Sequence, residues 1–333
     1  MISAKGRVLL SGANGFVASH IVEGLIAQNY HNVGTVRSKK KAQDIFALHP
    51  DWTPHITWAY IADIGASSAF DETFEEVGHF DYVNHNASPV DFTVSDFKRD
   101  MIDPAMRGCE AAPKLGGPGL KRIVFSGSTA SISDFFHSDA KAREQPWNED
   151  DWNTVTADYA VQNNNVFAAA PSFDITVLNP YVIMGPMLHL VKGTEDIPST
   201  VAFPIWNFLN GTYAQIEDLL FPAWNFVDVR YVARPHILYL TTASASNKRI
   251  ALVSWLSTPQ LVINAIRKNF PDLRERVIKG EPEQLVPDGV EPTNWDTSWS
   301  FEVFGQDWAY KSLEETVVDT VRDLIAREKE WSA

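Results

Sequence analysis

Cysteine is nearly absent from this chain. Cys109 is the single one among 333 residues, so no intramolecular disulfide can form, and the composition fits a reducing compartment. No apolar run reaches bilayer-spanning length, and the first residues lead into a strand without the charged and apolar regions of a secretory signal. A cytoplasmic protein without membrane partners is therefore expected. Basic charge is scarce as well: 28 Lys and Arg stand against 42 Asp and Glu, a net charge of -14. A phosphate backbone would be repelled, which argues against nucleic acid as a partner. The nine histidines are scattered without ligand spacing, so no metal site is expected. Internal repeats and low-complexity tracts are missing too.

What is present is a regular alternation. Arg7-Val8-Leu9-Leu10-Ser11 is a short apolar run that stops at a glycine turn, the pattern of a buried parallel strand. From His20 to Ala27 the apolar residues Ile21, Val22, Leu25 and Ile26 keep helical spacing. Further strands are read at Asn32–Val36, Ile56–Ile61, from Tyr82, at Arg122–Phe125 and at Asp174–Leu178, with a helix over Ser67–Val77. Strands alternating with helices imply an α/β fold, a Rossmann-type doubly wound parallel sheet. After Pro180 the pattern changes. Residues 186–222 are irregular and aromatic, 225–240 return to the first domain, and Ser257–Phe270 and Ser312–Glu328 read as helices. The expected domains are 1–186 with 223–246, which bind the cofactor, and 187–222 with 247–333, a smaller C-terminal α/β substrate domain.

The chemistry begins at Gly12-Ala13-Asn14-Gly15-Phe16-Val17-Ala18. Gly12 permits a tight turn, Gly15 a close approach of backbone to a pyrophosphate, and Ala18 close helix–strand packing, with the helix N-terminus facing the phosphates. The motif follows a strand and opens a helix, which makes it specific. At the end of the second strand an acidic residue would favour NAD. This chain has Arg37, with Lys41 nearby. A guanidinium forks around a ribose 2′-phosphate, so the expected cofactor is NADP(H). Asp63 and Ile64, ending the third strand, are placed to meet adenine.

Beyond these motifs stand His85-Asn86-Ala87-Ser88-Pro89, Lys121 through Ser128, Leu178-Asn179-Pro180, Gly185-Pro186 and Phe226-Val227-Asp228-Val229-Arg230. With them the chain resembles the extended short-chain dehydrogenase/reductases over nearly its whole length, above all the dihydroflavonol-reductase branch and the yeast-type carbonyl and aldehyde reductases. The resemblance implies that Ser128 hydrogen-bonds a substrate carbonyl and that Tyr159 donates the proton. It also implies cofactor contacts from Asn14, Phe16, Val17, Asn86, Ala87, Ser88 and Pro180, and substrate contacts from Pro89, Thr129 and Tyr181. His85 and Ser88 either line the nicotinamide side or shape the backbone there. Arg230 matches a structural residue.

One position departs from the pattern. The family's lysine four residues after the tyrosine binds the nicotinamide ribose and lowers the tyrosine pKa. Here that position is Asn163, flanked by Asn164 and Asn165. An amide can hydrogen-bond ribose hydroxyls but carries no charge. The helices around 107–115 and 159–171 are short as well, and they commonly build the family's dimer, so monomer and dimer both stay open. The expected function is NADPH-dependent reduction of an aldehyde or ketone, a hydrophobic or polyketide-like carbonyl of secondary metabolism. The alternatives are a non-redox cyclase, isomerase or dehydratase on the same scaffold, and a catalytically silent NADPH-binding regulator.

Overall fold

A computed structural model describes residues 5–63, 78–88, 95–96, 99–100, 103–111, 119–133, 145–153, 173–305 and 308–331. The chain divides into two compact units. The first comprises Met1–Gly127, Val155–Leu178 and Ala233–Arg249; the second comprises Ser128–Thr154, Asn179–Val232 and Ile250–Ala333.

The first unit is built on strands β1 (Arg7–Ser11), β2 (His31–Val36), β3 (Ile56–Tyr60), β4 (Tyr82–His85), β5 (Arg122–Ser126) and β6 (Asp174–Pro180). With β9 (Lys248–Leu252) they form a seven-stranded sheet in the order β3-β2-β1-β4-β5-β6-β9. Every pairing from β3 through β6 is parallel. The strands are near-continuous apolar runs because both faces of a parallel sheet are covered. Leu9, Val33, Val83 and Ile123 are fully buried in one cluster with Phe80, Phe125 and Ile175. Cys109 packs against this cluster, and burial pushes its thiol up to about 11, which leaves it inert as a nucleophile.

Strand order reverses between β1 and β4, the first strand of each half of the sheet. In doubly wound sheets ligands bind at that switch point, outside the carboxyl ends of the strands. The helix after β1 runs from Phe16 to Ala27, four residues earlier than its apolar periodicity suggests. Its cap is Gly15, whose missing side chain leaves the first-turn N–H groups without a side-chain acceptor.

The second unit has a three-stranded sheet in the order β10-β8-β7, from β7 (Val182–Met184), β8 (Trp224–Asp228) and β10 (Leu256–Ser257). The pairing of β7 with β8 is parallel and that of β10 with β8 antiparallel. The helix Pro259–Asn269 is capped by Thr258: its hydroxyl accepts from Leu261 N–H, and Pro259 takes the first turn. It packs on the helix Leu313–Trp331, burying Val262, Ile263 and Ile266 on one side and Val317, Val321 and Leu324 on the other. The aromatic stretch is divided: Trp206, Phe208 and Trp224 are buried, whereas Phe203 and Phe221 are exposed.

Candidate functional site

A cavity of about 570 Å³ opens at the switch point of the sheet. Of the residues expected to hold a dinucleotide, Gly12, Asn14, Gly15, Arg37, Lys41, Asp63, Asn86, Ala87 and Ser88 all line it. Thr35, Val36, Ile61, Ala62, Asp100 and Pro104 complete the wall. Phe16 and Val17 form the first turn of the helix beyond Gly15 and are not among the lining residues.

The turn at Gly12 is held from below. Gly12 N–H donates to the Thr35 hydroxyl at 3.1 Å and Ala13 N–H to the Thr35 carbonyl at 3.1 Å. Gly12 has φ +66°, and a Cβ there would lie 3.1 Å from both Cα and Cβ of Ala87. The two loops that face each other across the switch point therefore approach closely only because position 12 has no side chain. Arg37 and Lys41 are exposed on the rim, and neither side chain makes an ion pair or hydrogen bond with the described residues. A bare cradle of helix N–H groups at one end and two uncommitted cations at the other fit a dinucleotide carrying an extra phosphate.

The loop 86–88 is fixed by β1. The Ser11 oxygen accepts from both Asn86 N–H and Ala87 N–H at 3.0 Å. Its own hydrogen is then directed at His85 Nδ1, 3.2 Å away, so the His85 proton sits on Nε2. His85 is buried, and desolvation pushes its imidazole down to about 4. Of the two roles left open for this residue, shaping the backbone is the one its position serves.

In the second unit Ser128 is exposed at the start of the turn Thr129–Ser131. Its oxygen accepts from Ala130 N–H at 3.1 Å, which leaves its hydrogen free to be donated. Thr129 is buried and donates to the Pro180 carbonyl at 3.3 Å. Tyr181 packs edge-on against Trp295 with ring centroids 5.9 Å apart, and burial raises its phenol pKa. Thr129 and Tyr181 thus carry packing within this unit. The expected site residues Ile64, Pro89, Tyr159 and Asn163 lie outside the described residues, as do the helix read over 67–77 and all of 159–171. Among the described residues no cluster of His, Cys, Asp and Glu is placed to hold a metal, and no helix is long and apolar enough to cross a membrane.

Strand order, the glycine turn and the cavity at the switch point together define a Rossmann-type protein. The chain belongs to the NAD dependent epimerase/dehydratase family, whose model matches residues 8–252. It is 29% identical over 308 residues to the putative NADPH-dependent methylglyoxal reductase GRP2 of Candida albicans, spanning 85% of this chain and 88% of that one. It is 25% identical over 347 residues to the NADPH-dependent methylglyoxal reductase GRE2 of Saccharomyces cerevisiae, spanning 96% and 98%. Among solved structures it is similar to Gre2 from Candida albicans in complex with NADPH. The TM-score there is 0.80 at 26% identity, over 96% of this chain and 98% of that one.

Proposed function

We propose that this protein is an NADPH-dependent reductase of a small or hydrophobic aldehyde or ketone. The observation that carries the reading is the cavity at the switch point, with Gly12, Gly15 and the helix Phe16–Ala27 at one end and Arg37 and Lys41 at the other. Relatives along nearly the whole chain are named for the same chemistry.

NADPH supplies the hydride when bound. Arg37 and Lys41 would hold its 2′-phosphate and the helix N-terminus its pyrophosphate, with the loop 86–88 lining the same cavity. The free hydrogen of Ser128 is donated to the substrate carbonyl, which makes the carbonyl carbon more electrophilic. Tyr159 hands over the proton, directly or through a water. With Asn163 in place of lysine, the positive charge by which the family lowers its tyrosine pKa is missing at that position. That costs rate at neutral pH without abolishing the proton path. The cofactor domain of this reading is 1–186 with 223–246, and the substrate domain is 187–222 with 247–333.

Asn163 also supports a second reading, a non-redox enzyme or a silent NADPH-binding protein on the same scaffold. The two separate cleanly. NADPH consumption with an aldehyde or diketone, lost in Ser128→Ala and Tyr159→Phe, supports the reductase. NADPH binding without consumption supports the alternative.

A further inference from the structure

Behind the cofactor loop runs a row of polar side chains. Ser126, at the end of β5, donates its hydroxyl hydrogen to Asn86 Oδ1. His236 Nε2 lies 3.0 Å from the same Ser126 oxygen, and His236 Nδ1 lies 3.2 Å from the Asn84 carboxamide. Asn84 and His236 are completely buried. Ser126 has one hydrogen and spends it on Asn86, so His236 must give its own from Nε2. Nδ1 is then bare and needs a donor. Asn84 Nδ2 is buried there with no hydrogen-bond partner among the described residues. Turning that amide about its axis places Nδ2–H on Nδ1, which satisfies both nitrogens and leaves only the carboxamide oxygen without a donor among the described residues. The outcome is a one-way chain of donors: Asn84 to His236, His236 to Ser126, Ser126 to Asn86.

His236 is well placed to anchor such a chain. It sits on the helix Val229–Leu238. The neighbouring Ile237 fills the space at Gly24, where a Cβ would come within 2.1 Å of Ile237 Cδ1. Just beyond the helix, Arg122 of β5 donates to the carbonyls of Tyr239 and Thr242, both at 2.6 Å. The imidazole therefore has little freedom to move.

We infer that His236 is a positioning residue for the cofactor site: through Ser126 it fixes the Asn86 carboxamide, and so the loop 86–88 that lines the nucleotide cavity. The inference rests on the cofactor reading above. Ser11 holds the backbone of this loop and His236 holds its side chain, so the nucleotide meets a surface that is already ordered and pays little to order it.

The test is NADPH binding by the full chain, measured as a dissociation constant at a temperature where every variant is folded. His236→Phe keeps the volume and deletes the donor; His236→Gln can still donate to Ser126. His236→Phe weakens binding about tenfold, the scale of one buried hydrogen bond, and His236→Gln recovers most of that loss. Asn86→Ala weakens binding by a similar factor, and the double variant His236→Phe with Asn86→Ala is no weaker than the worse single one, because both break the same chain. Unchanged affinity in His236→Phe, no recovery in His236→Gln, or losses that multiply in the double variant would each overturn the inference while leaving the cofactor reading intact. An unmodified protein that binds no NADPH would overturn both.

Discussion

Arg230 closes on Asp228 with two nitrogens of its guanidinium, Nε at 2.8 Å from one carboxylate oxygen and Nη2 at 2.6 Å from the other. Asp228 is 1% exposed and also accepts from the Thr316 hydroxyl at 3.0 Å, while Arg230 reaches on to Asp319 at 2.7 Å. The end of β8, the start of the helix Val229–Leu238 and the helix Leu313–Trp331 are thereby joined by one charge network. The role is structural, as the resemblance implies for this residue.

Arg230→Ala would leave a buried carboxylate without its counter-ion. The expected loss is about 3 kcal/mol of stability. Arg230→Lys retains the charge but not the fork, and its loss is smaller. Urea midpoints of the two variants against the unmodified protein check both the size and the order.

Arg37 sits on the rim of the cavity with no protein partner among the described residues. If it holds a 2′-phosphate, Arg37→Ala raises the NADPH dissociation constant by about tenfold to a hundredfold, as expected for a hydrogen-bonded charge. NADH, which has no such phosphate, binds with unchanged affinity. Titration with both nucleotides decides it; a parallel loss for the two would assign Arg37 elsewhere.

Two buried histidines make stability depend on acidity. Burial pushes His85 down to about 4 and His236 down to about 3, both from the ordinary 6.5. Below pH 6.5 the unfolded chain takes up protons that the folded chain refuses. Stability is therefore complete above pH 6.5 and is lost as pH falls toward the folded values. Each histidine contributes a slope of up to about 1.4 kcal/mol per pH unit. His236→Gln removes one of the two, so its urea midpoint falls less steeply between pH 6.5 and 4.5. Equal slopes would contradict the buried, neutral assignment.

The parallel sheet was readable from sequence because its strands are short apolar runs ended by glycine or polar residues, and β1 through β3 fall within a residue of where they were placed. The cofactor turn was readable because Gly12 and Gly15 answer local steric demands. The start of the helix at Phe16 was not, since a glycine cap leaves no side-chain signal. The three-stranded sheet was missed because β7 and β10 are only three and two residues long, too short for periodicity to show. Asp100 reaches the cavity from a position that no motif marks. His236 was invisible for a further reason: its partners Ser126 and Asn84 lie 110 and 152 residues away. Only the sheet order brings them together.

On the proposed reading this chain reduces carbonyls with NADPH although Asn163 stands where the family carries lysine. The direct measurement is NADPH oxidation by the purified protein against aldehydes, diketones and aryl ketones, run beside Asn163→Lys and Ser128→Ala. The expected result is turnover by the unmodified protein, loss of it in Ser128→Ala, and a gain in Asn163→Lys of up to about tenfold for each unit by which the restored charge lowers the tyrosine pKa. NADPH that is bound but not consumed across the panel, with or without the restored lysine, would contradict it.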